Sequence, residues 1–176
     1  MSRALRSAAT LLFAIVSSAA LGGSPDGNAA WFGRIKTLQG NWEGPYQWTG
    51  ARMDSGTMKV QYSTTGKGSA IVENLIVEGE PVMTTVYHLD NGALRMTHYC
   101  GAGNQPRLKA EGADASADTV RFTFVDATNL ASPTAPHVNG FEIRSVDANH
   151  VVLTFTFTSE KGLSYERIDL KRSQPS

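Results

Sequence analysis

The run Thr97-His98-Tyr99-Cys100-Gly101-Ala102-Gly103-Asn104-Gln105-Pro106 holds the only cysteine of the chain and one of its four histidines. An imidazole exchanges protons near neutral pH and ligates metals, and an ionised thiol is a nucleophile or a soft ligand. On a strand, His98 and Cys100 would share one face with Cα atoms about 6.5 Å apart and side chains parallel, which makes direct proton transfer between them awkward. With His137 they would make a donor set that zinc or copper accepts, although the usual ligand spacings are absent. The chain has no G-x-S-x-G elbow, no phosphate-binding glycine loop and no H-E-x-x-H. Two chemical roles remain for His98: orienting the polar group of a bound molecule, or acting as general acid or base with Tyr87, Cys100 or Glu166 assisting. Bland roles stand beside them, since an inward histidine can be hydrogen-bonded core structure and a buried free cysteine a small hydrophobe.

The flanking residues predict how these groups are held. Asn91-Gly92 between two alternating runs favours a two-residue hairpin turn. That register opposes Leu89 to Leu94, Tyr87 to Met96, Thr85 to His98 and Met83 to Cys100. The face carrying these eight residues is more apolar than the face of Thr84, Val86, His88, Arg95, Thr97 and Tyr99, so His98 and Cys100 should point inward. In the last hairpin, a turn on Glu160-Lys161 opposes Leu153 to Ile168 and Phe155 to Glu166. Glu166 then lies on the inner face beside Phe155 and Phe157, where a carboxylate needs a partner or a raised pKa. Arg107 or Arg121 from neighbouring strands could supply the charge, whereas a one-residue shift of the turn would point Arg167 inward instead.

The rest of the chain repeats this period of two. Strands are expected at 41–48, 57–64, 70–77, 82–89, 93–100, 106–111, 119–126, 140–146, 150–158 and 163–170, after one short amphipathic helix over 30–38 that carries Trp31, Ile35 and Leu38. About ten short strands joined mostly by tight turns predict an all-β, antiparallel up-and-down barrel, with the helix covering one end. Successive loops of such a barrel alternate between its ends. The 101–105 and 127–139 loops therefore share a mouth with the 49–56 loop and the Glu78-Gly79-Glu80 and Ser159–Gly162 turns. His98, Cys100, Asn104, Gln105, Asn129 and His137 should converge there, and barrel mouths are recurrent small-molecule sites. The bland alternative is that Asn104-Gln105-Pro106 only satisfies loop backbone and Asn129 only caps a turn. The expected lumen wall is Met58, Val60, Met83, Tyr87, Met96, Phe122, Phe124, Phe155 and Phe157.

The run Leu38-Gln39-Gly40-Asn41-Trp42-Glu43-Gly44, an L-x-G-x-W-x-G pattern, resembles the opening of lipocalin-like and fatty-acid-binding-protein-like barrels, in which the tryptophan packs across the closed end. It also resembles the start of nitrobindin-type haem barrels. The chain departs from those at Pro45-Tyr46-Gln47-Trp48, where a further glycine-rich stretch is expected, so a haem on His98 or Cys100 does not carry over and no cofactor is predicted. Over most of residues 35–170 the chain is similar to a group of uncharacterised exported bacterial lipocalin-like proteins. The marks are Tyr87-His88-Leu89-Asp90, Thr97-His98-Tyr99-Cys100, Gly103-Asn104-Gln105-Pro106-Arg107 and the run from Asp126 to Pro133. The resemblance implies a fold and no settled activity.

Residues 1–20 read as a cleaved export signal: Arg3 and Arg6, the apolar run Leu11–Val16, then Ser18-Ala19-Ala20. The apolar run is too short to span a membrane, and no cysteine lies near the cleavage point to carry a lipid anchor. Residues 21–29 are expected to be a loose leader, 30–172 one barrel domain and 173–176 a disordered tail. The chain has 16 basic and 16 acidic residues, so losing Arg3 and Arg6 leaves a slight negative balance and no basic surface for nucleic acid. One cysteine allows no internal disulfide, so the packed core must supply the stability of an exported, periplasmic or secreted domain. The expected partner is a small apolar or amphipathic molecule. An enzyme, or a barrel filled by its own side chains, is the competing reading.

Overall fold

The computed structural model describes residues 25–173, and the expected signal segment therefore lies outside the described residues, as does the chain end beyond Ser173. A helix, α1 (Pro25–Thr37), leads into ten strands: β1 (Gly40–Gly50), β2 (Asp54–Thr65), β3 (Ala70–Val77), β4 (Glu80–Asp90), β5 (Ala93–Tyr99), β6 (Gln105–Glu111), β7 (Thr119–Thr128), β8 (His137–Asp147), β9 (His150–Ser159) and β10 (Gly162–Arg172). Every strand pairs antiparallel with its sequence neighbours, and β1 pairs with β10, which closes the barrel.

The helix is longer than the apolar spacing predicts. It starts at Pro25, so residues 25–29, expected as leader, are helical. Proline is at home in the first turn, where its missing N–H has no partner to lose. The helix plugs the end that strand parity assigned to it. Trp31 Nε1 donates to the carbonyl of Asp114 at 2.9 Å, and Arg34 donates to the carbonyls of Ala115 and Ala117 in the 112–118 loop. Trp31, Phe32, Ile35 and Leu38 are buried against the strands.

Trp42 is 1% exposed, and its indole N–H donates to Leu38 O at 2.6 Å, tying the first strand to the end of the helix. Two glycines of the L-x-G-x-W-x-G run have structural reasons. Gly40 has φ +121°, a region closed to most side chains. A Cβ on Gly44 would stand 1.8 Å from the carbonyl oxygen of Asp169, so the β1–β10 closure requires glycine there.

The hairpin registers follow the turn chemistry. Leu89 opposes Leu94, Tyr87 opposes Met96 and Thr85 opposes His98; β5 ends at Tyr99, before the expected Met83–Cys100 pair. Leu153 opposes Ile168 and Phe155 opposes Glu166. On the inner face Thr85, Tyr87, Leu94, Met96, His98, Phe155 and Glu166 are buried, Met83, Cys100 and Phe157 are half-buried, and Leu89 is 37% exposed beside the turn. Toward the helix the lumen is solid: Val60, Tyr62, Leu75, Tyr87, Leu94, Met96, Leu108, Phe122 and Ile143 interlock in one core. Toward the far end it opens.

Candidate functional site

A polar row crosses the barrel where the solid half meets the open half. Tyr62 on β2 opposes Glu73 on β3, Glu73 opposes Thr85 on β4, and Thr85 opposes His98 on β5, so four adjacent strands present these side chains at one level. All four are buried. Tyr87, one layer deeper, donates its hydroxyl to Glu73 Oε2 at 2.7 Å. Burial raises the Glu73 carboxyl above its ordinary range, and the hydroxyls of Tyr62, Tyr87 and Thr85 oppose that rise. The same burial, with the Glu73 charge adding to it, pushes both tyrosines well above theirs.

His98 is the end of the row that meets the cavity. Its Nδ1 lies 2.9 Å from Thr85 Oγ1, and its ring rests 5.3 Å from the ring of Phe155. Its Nε2 is buried with no hydrogen-bond partner among the described residues. Burial lowers its pKa from 6.5 to about 4, so the imidazole is neutral at physiological pH. A neutral ring has one donor and one acceptor nitrogen, and the proton shared with Thr85 fixes which of these Nε2 presents.

The cavity above this row has a volume of about 390 Å³, at the small end of the range for ligand pockets. Its wall includes Trp48, Met83, His98, Cys100, Phe155 and Glu166. A wider recess of about 640 Å³ adjoins it across Arg52 and Phe157 and reaches the residues around Ser132 and Lys161. Burial raises the Glu166 carboxyl from 4.5 to about 7; Arg52 and the Trp48 indole oppose that rise and Asp54 adds to it. Arg52, however, is engaged with Asp54 at 2.9 Å and stacks 4.3 Å over the Trp48 ring. The Cys100 thiol is raised by burial and by the Glu166 charge, so it keeps its proton and is a poor nucleophile.

Of the residues singled out by sequence, the cavity brings together His98, Cys100 and Glu166. Tyr87 and Met96 belong to the solid half, as do Met58, Val60 and Phe122 of the expected wall; Met83, Phe155 and Phe157 do line open space. Asn104 holds the mouth loops together through Nδ2 and the carbonyl of Pro136 at 2.8 Å. Gln105 Oε1 accepts from Thr128 and Asn129, at 2.7 and 3.0 Å, away from the cavity. Arg107 is on the outer face, paired with Asp126, because Pro106 and Leu108 on either side of it point inward. Arg121 pairs with Glu142 at 2.8 Å, so neither expected arginine reaches Glu166.

His137 is displaced by a bulge between Val138 and Gly140, which turns Val138 into the cavity opposite Phe157 and leaves His137 against the Phe124 ring. Its Nδ1 meets the carbonyl of Ala135 at 2.7 Å. Among the described residues no cluster of three or more His, Cys, Asp or Glu side chains forms a metal site, so His137 does not join His98 and Cys100. For haem ligation, His98 Nε2 is the unpartnered ring nitrogen that the cavity wall supplies among the described residues. The Cys100 thiol keeps its proton and Glu166 sets a carboxylate in the same wall, so the residues do not fit the group.

The chain matches no protein-family model, and no curated protein matches it by sequence. Solved structures do resemble it. Rv2717c from M. tuberculosis superposes with a TM-score of 0.57 at 13% identity, over 81% of this chain and 97% of that one. A protein of unknown function from Nostoc punctiforme, of the DUF3598 family, superposes with a TM-score of 0.55 at 10% identity, over 79% of this chain and 48% of that one. These likenesses are of architecture, and they show the fold alone, a closed antiparallel β-barrel.

Proposed function

We propose that the chain is an exported binding protein that holds a small, largely apolar molecule in the open half of the barrel, with His98 orienting its polar group. The observation that carries this reading is His98: the residue lines the cavity, and its Nε2 is buried without a partner among the described residues. A buried polar atom left unpaired costs about 1–3 kcal/mol, which a ligand that supplies the missing hydrogen bond recovers. Most of the remaining wall is aromatic and aliphatic, as in ligand pockets generally, with Arg52 and Glu166 its charged members. Native mass spectrometry of the protein purified from its own host tests the reading, because a retained molecule names its class.

His98→Ala should then weaken retention by roughly 1–3 kcal/mol while leaving the barrel folded. A variant that holds the molecule as tightly as the parent removes His98 from the site. The competing reading, catalysis, is favoured by one observation: Thr85 and Glu73 stand behind His98 as an orienting group stands behind a general base. In that case His98→Ala lowers turnover by ~10²–10⁴-fold and leaves binding nearly unchanged.

A further inference from the structure

We propose that the polar group this cavity selects is a protonated amine, held by Glu166 between aromatic rings. The inference rests on the reading of the cavity as a ligand site and names the class of ligand. Glu166 on β10 is flanked in register by Trp48 of β1 and Phe155 of β9, and one layer further out Ser164 faces Phe157. The Trp48 and Phe157 rings meet edge to face at 5.8 Å, so the carboxylate lies at the foot of an aromatic wall. Ring faces attract cations and repel anions.

The charges at the mouth point the same way. Glu166 has no ion-pair partner among the described residues, and the guanidinium that acts on it, Arg52, is bonded to Asp54. Asp54 partly offsets Arg52, and Glu166 is the one acid among the residues lining the cavity. A ligand carboxylate would be placed beside a like charge in a desolvated site, whereas an ammonium supplies the partner the buried carboxylate lacks. An ammonium also has three N–H donors. One of them satisfies Glu166, which lines the cavity. The cavity of about 390 Å³ holds a small amine, with its apolar body against Met83, Val138 and Phe157, and the adjoining recess has room for a longer one.

Three isosteric probes separate the alternatives: 2-phenylethylamine, 2-phenylethanol and 3-phenylpropionate, titrated into the full chain at pH 8 by calorimetry or tryptophan fluorescence. The amine should bind at least tenfold more tightly than the alcohol, and the carboxylate most weakly. Glu166→Gln should erase the preference for the amine while the alcohol binds as before. Equal affinity of the parent for amine and alcohol overturns the inference and leaves the cavity reading standing. Tightest binding of the carboxylate also overturns it, making Arg52 the recognition group. If neither amine nor alcohol binds, the inference and the reading beneath it both fail.

Discussion

Glu73→Ala is expected to destabilise the barrel by roughly 3–5 kcal/mol, and Glu73→Gln by no more than about 1 kcal/mol, in urea denaturation at pH 7. The alanine variant deletes the acceptor of the Tyr87 hydroxyl and opens a void in a fully buried row. Thr85 is the polar side chain left beside Tyr87, in a surrounding of Leu75, Leu94, Met96 and Phe122. The amide can still accept from Tyr87 and keeps the volume of the acid. Whether it is an innocent replacement depends on the charge that Glu73 carries. Burial raises the carboxyl, so its stabilising contribution is complete below its ordinary pKa of 4.5 and is lost as pH rises through the folded value. The glutamine variant should therefore gain on the parent as pH rises above 4.5. If Glu73→Gln instead costs as much as Glu73→Ala at pH 7, the group is a charged acceptor of several hydrogen bonds, and the row is an anion site.

The same row links the closed half of the barrel to the cavity. A charged Glu73 accepts every proton that Thr85 and the tyrosines have to give, and Thr85 then accepts from His98 Nδ1–H, leaving Nε2 a bare acceptor. A protonated Glu73 has a proton of its own to donate, which frees the Thr85 hydroxyl to donate to Nδ1 and leaves the proton on Nε2. Glu73 is in this sense a positioning residue: it never meets the cavity, yet its protonation selects the face His98 shows there. The contact through which it acts is the 2.9 Å approach of Thr85 Oγ1 to His98 Nδ1.

The barrel was legible because its turns were. Asn91-Gly92 and Glu160-Lys161 each fix a two-residue register, and each carries one group of the site, His98 or Glu166, to the inner face by simple alternation. Where a strand carries an extra residue, alternation fails. His137 is lost to the site through the bulge between Val138 and Gly140. The loop Glu78-Gly79-Glu80 fixes no register in the sequence, so Glu73 was assigned to neither face. From the two-residue Glu78-Gly79 turn of the structure, alternation alone would oppose it to Thr84 on the outer face. A bulge that leaves Val82 without an opposite residue moves it to Thr85 and into the core.

Composition offers no correction there, because Ile71 and Leu75 on one face of β3 match Val72 and Ile76 on the other. The arginines erred differently. Arg107 and Arg121 were matched to Glu166 by charge, but each has an acid directly across the ladder, Asp126 and Glu142, and cross-strand neighbours pair first.

Glu166→Gln is expected to stabilise the protein at pH 8 by roughly 3 kcal/mol and to change it little at pH 4.5, the effect of moving a carboxyl from 4.5 to about 7. Below 4.5 the side chain is protonated in both the folded and the unfolded chain and contributes no difference. Between 4.5 and 7 the unfolded chain releases its proton while burial makes the folded chain keep it, so stability falls as pH rises and levels off above 7. Glutamine has no proton to lose and escapes that fall. His98 gives the opposite slope. Its pKa drops from 6.5 to about 4 on folding, so stability falls as pH is lowered from 6.5 to 4, when only the unfolded chain gains a proton. In the parent the two slopes oppose each other across most of this range and flatten the profile. In the variant the acid limb of His98 stands exposed, steepest between pH 4 and 6.5. Glu73 contributes to both proteins alike and drops out of their difference. Urea denaturation of the two at half-unit steps from pH 4 to 8.5 reads both limbs at once. Parallel profiles would mean that Glu166 already has a counter-charge in the folded protein, and an ammonium would then find no vacancy to fill.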